Sequence, residues 1–338
     1  MLLADMGAEI LRLDRPEPSP FPDPVTNRGR TSLPVDLTSA QGRERAEAAI
    51  GCADILLEGF RPGAMERLGL GPQPMLQRNP RLVYGRMTGW GQSGPLAPLA
   101  GHDLNYIAVS GALDEIGLAD GPPLPPLNLV GDFGGGSLYL VIGVLLALFE
   151  RDRSGQGQVV DAAIVDGTAS LLAGMAGMRE LIGAGRGNNA LGGSSPTYRT
   201  YRCADGKHIA VAAIEAVFWN RLADALGLTE DERLRNRADP SALHRRLEAI
   251  FAEATAEQWL ERLGPLDCCV APVLPLEQAA RHPHLAARGT YVERAGRLHP
   301  APAPRLSRTP GAIGRAAPEW GEGGAGMLAR WQLTPCRP

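Results

Sequence analysis

Two short apolar segments constrain the fold of this chain most strongly: DILLE at residues 54–58 and RLVYG at residues 81–85. Their length favours strands over helices, and stretches of helical composition separate them. Short apolar strands that alternate with helices are typical of a parallel sheet covered on both faces. The sequence therefore predicts an α/β fold.

The first residues predict half of a crossover unit. Residues 1–9 resemble the end of a helix with a stop at Gly7, and residues 9–14 alternate like a strand. A helix that leads into a strand of a parallel sheet normally follows an earlier strand. We therefore expect a strand before the first residue, which this sequence lacks. A helix capped by Thr38 or Ser39 is predicted next.

The remainder of the chain predicts a second, smaller region. The Gly/Asn/Ser-rich stretch 183–195 is typical of a linker, and a hairpin around Asp205-Gly206 should follow it. Residues 321–338 predict no closing helix. The other predicted elements are helices at 136–151 and 166–178, a strand at 159–164, hairpin strands at 198–203 and 207–212, helices up to about 263, and extended segments at 270–274 and 300–310.

Composition excludes several classes of protein. With 338 residues, 44% of them hydrophobic, the chain is long enough for two domains. A formal net charge of −3 gives no electrostatic case for binding nucleic acid or an anionic membrane. Five cysteines without a C-x-x-C pair favour neither a disulfide framework nor a zinc cluster, and reduced thiols fit a cytoplasmic protein. The longest apolar run, 138–149, is too short to cross a bilayer and predicts a buried helix.

The segment GHDLNY at residues 101–106 is the first with catalytic potential, because it opens a predicted helix that runs to about Leu113. A histidine at a helix N-terminus lies beside free N–H groups and the positive end of the helix dipole. This setting favours the neutral imidazole that acts as a base. Spacing alone favours a simpler interpretation, in which Asp103 caps the helix and His102 is a loop residue.

The second such segment is PPLNLVGDFGGG at residues 125–136. Asp132 lies between an extended stretch and the predicted apolar helix, and the glycines beside it permit close approach of a ligand. The segment is not a phosphate-binding loop, because no Gly-Lys-Ser/Thr follows. An N-cap aspartate followed by flexible glycines explains the same residues. No metal site is predicted, since His282 and His284 lack carboxylate or cysteine partners nearby in the sequence.

These segments belong to a longer pattern. GHDLNY, PPLNLVGDFGGGS and GQGQVVDAAIVDG occur in one chain with LLADMGAEILRLDRP, ILLEGFRPGAMERLGLGP, VYGRMTGWGQSGP, YRCADGKHIAVAAIE and APAPRLSRT. In this order, and over nearly the whole chain, they resemble the α-methylacyl-CoA racemases of the family III CoA-transferase superfamily.

The resemblance implies a large Rossmann-like domain, a smaller α+β domain and an interlocked homodimer whose sites are shared between subunits. It assigns residues 1–185 to the CoA-binding domain, 186–305 to the linker and small domain, and 306–338 to a segment that returns to the large domain.

The resemblance also implies roles for four residues. His102 and Asp132 would be acid/base groups on opposite faces of the substrate α-carbon. Glu215 of the partner subunit would orient His102 and balance its charge. Asn128 would hydrogen-bond Asp132. The CoA-binding residues that it implies are Arg15, Val35, Asp36, Leu37, Thr38, Gly59, Phe60, Arg61, Arg67, Gly101, Asp103, Leu104, Asn105 and Tyr106.

The residue types agree with inversion of a centre next to a thioester. A proton must leave one face and return to the other, so two bases are the simplest arrangement, each contributing about 10²–10⁴ in rate. The enolate oxygen is expected to accept hydrogen bonds from N–H groups near Asp103. No metal or redox cofactor is needed, because CoA is part of the substrate.

Two alternatives stay open. In a CoA-transferase of the same superfamily, Asp132 would attack the thioester and form an acyl anhydride. That reaction has no need of His102 as a second proton-transfer base. The other alternative is a truncated, inactive homologue, suggested by the missing first strand and the atypical tail. The acyl group could be a branched fatty acyl, a bile-acid side chain or an aryl-propionyl group.

Overall fold

The computed structural model describes residues 1–238 and 240–333, with residues 235–238 described by their backbone only. The strands in chain order are β1 (Ile10–Asp14), β2 (Arg30–Pro34), β3 (Ile55–Glu58), β4 (Val83–Thr88), β5 (Val159–Ala163), β6 (Tyr198–Arg202), β7 (His208–Ala212), β8 (Val270–Pro272), β9 (Tyr291–Arg294) and β10 (Arg297–Pro300).

Helices follow most of these strands. They are α1 (Leu2–Asp5), α2 (Ala40–Gly51), α3 (Ala64–Arg67), α4 (Pro72–Arg78), α5 (Asp103–Val109), α6 (Tyr139–Ser154), α7 (Ile164–Leu171), α8 (Ala173–Ile182), α9 (Ala216–Leu226), α10 (Glu230–Ala238), α11 (Pro240–Phe251), α12 (Ala256–Leu263), α13 (Leu276–Ala279), α14 (Pro283–Ala287) and α15 (Gly324–Leu333). A π-helix, Leu129–Leu138, leads directly into α6.

The chain divides into two compact units. The first contains Met1–Gly101, Asp132–Gly167 and the described residues from Ala280 onward, and the second contains His102–Gly131 and Thr168–Ala279. These divisions differ from the predicted boundaries at 185 and 305, which were assigned by resemblance and stay a prediction.

The first unit contains the predicted parallel strands. β3, β4 and β5 form a parallel sheet in that order, and β1 pairs in parallel with β2. Helix α6 lies close to β4 and β5 because glycines stand at the contacts. A Cβ on Gly143 would come 2.6 Å from Val160, and one on Gly85 would come 3.0 Å from Leu140. The parallel α/β architecture predicted from the two apolar segments is confirmed.

Strand β2 falls in the stretch between residues 14 and 38, where the sequence predicts no strand. Its residues Thr31 and Ser32 are buried although they are polar. Thr31 Oγ1 donates to the Ile10 carbonyl at 3.3 Å, and Ser32 Oγ hydrogen-bonds the Asp14 carboxylate. The strand buries two hydroxyls with hydrogen-bond partners and a single large apolar side chain, Leu33, so a hydrophobic pattern does not reveal it.

The second unit is built on an antiparallel sheet with the order β6-β7-β8. The predicted hairpin is confirmed, and Gly206 turns it with a φ of 77°. Helices α9, α11 and α12 contribute to an apolar core in which the Tyr201 and Phe251 rings stack at 5.0 Å. Trp259 Nε1 donates to the Phe251 carbonyl at 3.0 Å, so the polar edge of the buried indole has a partner.

The end of the described chain forms a helix, contrary to the predicted absence of a closing helix. Helix α15 packs against β1, β2 and α2, and Leu328 joins an apolar cluster with Leu33 and Val35. Arg330 and the Trp331 indole N–H both donate to the Glu9 carboxylate, at 3.0 and 2.8 Å. The four large apolar residues of this segment, Met327, Leu328, Trp331 and Leu333, stand among glycines and alanines, which explains its weak periodicity. Residues 334–338 lie outside the described part.

The long apolar helix is not buried as predicted. The helical stretch Leu129–Ser154 contains an 18-residue segment with a mean hydropathy of 1.8. Only 22% of that segment is buried within this chain. Among the described residues, it is the one helix long and apolar enough to cross a membrane. One side of α6 packs on the parallel sheet, while exposed apolar side chains lie along the stretch at Leu129, Phe133, Leu138, Ile142, Leu145, Leu146 and Phe149.

Candidate active site

His102 is the N-cap residue of α5, with an extended backbone at φ −132° and ψ 173°. Its N–H donates to the Asn105 side-chain oxygen at 3.1 Å, and its carbonyl accepts from the Asn105 N–H at 2.8 Å. Asp103 is therefore the first helical residue and not the cap. The helix ends at Val109, four residues earlier than predicted. The predicted placement of His102 at a helix N-terminus is correct.

Asp132 lies inside the π-helix, so its interpretation as the N-cap of the long helix is wrong. Helical structure begins at Leu129, three residues before Asp132, and continues into α6. Ser137 Oγ donates to the Asp132 main-chain carbonyl at 2.9 Å across the wide turn. A π-turn is an uncommon, costly conformation that is frequent at functional sites.

The segment that leads to Asp132 passes directly against the start of α5. A Cβ on Gly131 would come 2.2 Å from Asp103 Oδ1 and 2.9 Å from the Ile107 side chain. Only glycine permits this approach. Because Asp132 is the next residue in the chain, the two predicted catalytic segments are in contact through the neighbours of His102 and Asp132.

Asn128 and Glu215 occupy exposed positions at the starts of helical segments. Asn128 follows Leu127, which has a left-handed φ of 57°, and precedes the π-helix. Glu215 is the N-cap residue of α9, and its carbonyl accepts from the N–H groups of Phe218 and Trp219 at 3.1 and 3.0 Å. The predicted pairings of Asn128 with Asp132 and of Glu215 with His102 stay predictions.

Most of the residues predicted to bind CoA lie after the carboxyl ends of parallel strands in the first unit. Arg15 follows β1 and Val35 follows β2, and these two strands pair in parallel register. Gly59 follows β3. The carboxyl ends of a parallel sheet are the usual place for ligands in α/β proteins. The positions therefore agree with a ligand site, although the sequence supplied them by resemblance alone.

The loop after β2 is held by its own side chains. The Asp36 carboxylate accepts from the Thr38 hydroxyl at 2.6 Å and from the Thr38 N–H at 2.9 Å, which holds the pKa of Asp36 below its usual range. Arg43 donates to the Thr38 carbonyl at 2.7 Å. Val35 is buried and Thr38 is exposed. Leu37 lies between them and is half-buried.

The loop after β3 and the helix α3 that follows it expose an aromatic ring and two arginines. Phe60 is 45% exposed, and Arg61 and Arg67 are exposed. Within residues 1–238 and 240–333, no ion pair involves Arg15, Arg61 or Arg67. Exposed guanidinium groups without a carboxylate partner can bind phosphate groups.

The remaining predicted CoA-binding residues surround His102. Gly101 precedes it, and Asp103, Leu104, Asn105 and Tyr106 form the first turn of α5. Leu104 is 43% exposed, whereas Tyr106 is buried. In the described part of the chain, no three His, Cys, Asp or Glu side chains cluster as a metal site requires.

The sequence did not reveal two buried charged residues next to the loop that follows β3. Glu58 ends β3 and Arg86 lies in β4, and they are 7% and 6% exposed. One signal could have revealed them: each of the two apolar strands carries one charged residue, and the charges are opposite. A buried charge needs a partner, so the two residues could be expected to pair.

Comparison with known proteins places the chain in a family. The family model described as CoA-transferase family III matches residues 1–323. The chain belongs to this family.

Comparison with individual proteins shows which members of this family the chain resembles. The chain is 44% identical to α-methylacyl-CoA racemase of Mus musculus and 42% identical to α-methylacyl-CoA racemase of Homo sapiens, in each case over 92% of this chain and 82% of the relative. A crystal structure of a CaiB/BaiF family protein from Brucella suis superposes with a TM-score of 0.85 at 26% identity, covering 98% of this chain and 93% of that one. The predicted racemase resemblance, α/β fold and isomerase class are confirmed.

Proposed function

We propose that the chain inverts the 2-methyl-bearing α-carbon of acyl-CoA thioesters by 1,1-proton transfer through an enolate. The observation that carries the proposal is the contact of Gly131 with Asp103, which joins the segments of His102 and Asp132 in a chain 44% identical to a racemase. One group removes the α-proton and the other returns a proton on the opposite face. No cofactor takes part, because the thioester carbonyl itself acidifies the α-carbon.

CoA binding is assigned to the carboxyl ends of β1, β2 and β3. Arg15, Arg61 and Arg67 are the phosphate-binding groups in this proposal, and exposed Phe60 supplies an aromatic surface for the nucleotide base. The N–H groups of the first turn of α5 are the donors for the enolate oxygen in this proposal.

The active form in this proposal is a homodimer in which Glu215 of the partner subunit faces His102. The exposed apolar side chains of the Leu129–Ser154 stretch support a partner subunit, since contiguous exposed apolar surface usually marks an interface. We propose a cytoplasmic location, which fits reduced cysteines, and no nucleic-acid partner, because the net charge is −3. Dimerisation would cover the apolar surface without a membrane. Mixing inactive His102→Ala and Glu215→Ala subunits during refolding should restore activity. Verified mixed dimers without activity would contradict the shared site.

Proton exchange in D₂O tests the reaction. The purified protein should incorporate deuterium at the α-carbon of both (R)- and (S)-2-methylacyl-CoA and convert each into the racemate. A panel of branched fatty acyl, bile-acid and aryl-propionyl thioesters would then identify the acyl group.

The alternative function is CoA transfer, which the family description favours. In that reaction the Asp132 carboxylate attacks the thioester carbonyl and CoA leaves as the thiolate. The incoming carboxylate then attacks the aspartyl carbonyl of this anhydride, which forms the anhydride of the new acyl group and releases the first acyl group as its carboxylate. Attack of the CoA thiolate on the acyl carbonyl of the new anhydride forms the new thioester and restores the Asp132 carboxylate. Transfer of CoA to a free carboxylate without α-proton exchange would establish this alternative in place of racemisation.

A further inference from the structure

A group of three charged side chains, two buried and one exposed, lies next to the loop after β3. Arg86 Nε donates to Glu58 Oε1 at 2.8 Å, and its two terminal nitrogens donate to the Glu66 carboxylate at 2.7 and 3.3 Å. The side chains of Arg86 and Glu58 are 7% and 2% exposed, while that of Glu66 is 45% exposed. We call these three residues the arginine brace.

The arginine brace contacts the loop main chain directly. The second oxygen of Glu58, Oε2, accepts from the Phe60 N–H at 2.8 Å. One carboxylate thus joins β4 on one side and the loop on the other. Burial raises the pKa of Glu58, although the Phe60 N–H and Arg86 both favour its charged form.

The other carboxylate of the brace belongs to the short helix α3. Glu66 precedes Arg67 in this helix, and hydrogen bonds from Arg86 hold the pKa of Glu66 below its usual range. Arg86 itself is not available to a phosphate, because all its donor nitrogens already bind carboxylates. The brace therefore connects two segments with exposed arginines and does not extend the ligand surface.

We propose that Glu58, Arg86 and Glu66 are positioning residues that fix the Phe60 loop and Arg67 in the conformation that binds the nucleotide half of CoA. The inference rests on the proposed function, which places CoA at this loop. Buried ion pairs contribute little net stability, because desolvation offsets their attraction. A loop fixed before binding loses less conformational entropy when the ligand binds, so its affinity rises.

The test compares two substrates that differ only in the nucleotide. For Glu58→Gln, kcat/KM for α-proton exchange of 2-methylacyl-CoA should fall about tenfold through KM, with kcat unchanged. For 2-methylacyl-pantetheine, which lacks the nucleotide, kcat/KM should not change. Calorimetry should show a matching loss of affinity for free CoA. Glu66→Gln, at a more exposed position, should give the same selective loss with less risk to folding.

A matched control breaks a buried ion pair elsewhere in the first unit. Arg28 pairs with Asp5 at 2.7 Å, and both side chains are at most 2% exposed. Asp5→Asn should lower stability without changing the preference for CoA over pantetheine. An equal loss for both substrates in Glu58→Gln and Glu66→Gln, or a CoA-selective loss in Asp5→Asn, would overturn the positioning role. Wild-type protein that exchanges no proton and binds no CoA would instead overturn the proposed function, and the inference with it.

Discussion

His102 and Asp132 occupy unlike backbone settings, although the sequence presents each as a polar residue before a helix. His102 stands at an ordinary helix start, where the Asn105 side chain fixes the backbone N–H at 3.1 Å. Asp132 lies within a π-turn. There the backbone packs closely on both sides, at Gly131 against Asp103 and at Gly135 against Gly167.

The difference shows that the two residues proposed as acid/base groups are positioned by different means. A side-chain hydrogen bond sets the helix start at His102 and can be removed with one substitution. Close packing of glycine backbones sets the turn at Asp132, so added volume disturbs it most. The four predictions below test this contrast, from the largest expected effect to the smallest.

The largest effect should come from removing the two proposed acid/base groups themselves. Racemisation should fall by about 10²–10⁴ in both His102→Ala and Asp132→Ala, because inversion needs both groups. Deuterium incorporation at the α-carbon, measured separately from each pure enantiomer, should distinguish proton exchange on the two faces of that carbon. Each variant should lose exchange more severely for one enantiomer, and the preference should be opposite in the two variants.

Exposed residues of the same type supply the controls. His284→Ala and Asp120→Ala change side chains that are exposed and outside the proposed site, so their exchange rates should match wild type. Equal residual exchange of both enantiomers in both active-site variants would contradict the two-base mechanism. That outcome would indicate a single mobile base or a nucleophilic Asp132.

The second effect concerns the packing that supports the π-helix. A Cβ on Gly167 would come 1.8 Å from the Gly135 carbonyl oxygen, so Gly167→Ala must displace the backbone. We expect a stability loss of about 1–3 kcal/mol in urea unfolding, together with a lower kcat. Gly326→Ala is the control, because α15 has open space there and alanine should stabilise the helix by about 0.5–1 kcal/mol. Equal stability of the two variants would show that the Gly135–Gly167 contact relaxes freely.

This contrast also explains how far the sequence predicts the structure. The parallel strands β3 and β4 were predictable because they are short and apolar. The helix start at His102 was predictable too, because α5 has ordinary helical geometry. The π-helix was not, since an extra residue per turn depends on tertiary contacts such as that of Gly167 with Gly135 and leaves no periodic signal.

Site prediction divides in the same way. The sequence motifs pointed to His102 and Asp132 by resemblance, and their roles stay a prediction, whereas the arginine brace was not predicted. Glu58 and Arg86 are 28 positions apart, and their pairing depends on the parallel register of β3 with β4. Strand register brings distant charges together, and a single sequence does not specify it.

The third effect should come from the side-chain hydrogen bond at the start of α5. Asn105→Ala removes the acceptor of the His102 N–H, which should cost about 0.5–2 kcal/mol of stability. Exchange at the His102 face should slow more than exchange at the Asp132 face. Asn105→Asp keeps an acceptor oxygen at the helix N-terminus and should retain both stability and face preference. If alanine and aspartate variants behave alike, the hydrogen bond does not position His102.

The smallest effect concerns the strained residue before the π-helix. Leu127 is 74% exposed and has a φ of 57°, a left-handed conformation that costs a non-glycine residue about 1–2 kcal/mol. Leu127→Gly removes this cost but gives the unfolded chain more freedom, so the net stabilisation should be under about 1 kcal/mol. The matched control is Leu124→Gly, at an exposed position without a left-handed φ. There glycine relieves no strain and only increases the conformational entropy of the unfolded chain, so stability should fall. Urea unfolding of both variants measures the difference.

If the left-handed residue also orients Asn128 toward Asp132, Leu127→Gly should slow exchange at the Asp132 face while it stabilises the fold. Unchanged exchange with higher stability would limit the left-handed conformation at Leu127 to a local turn.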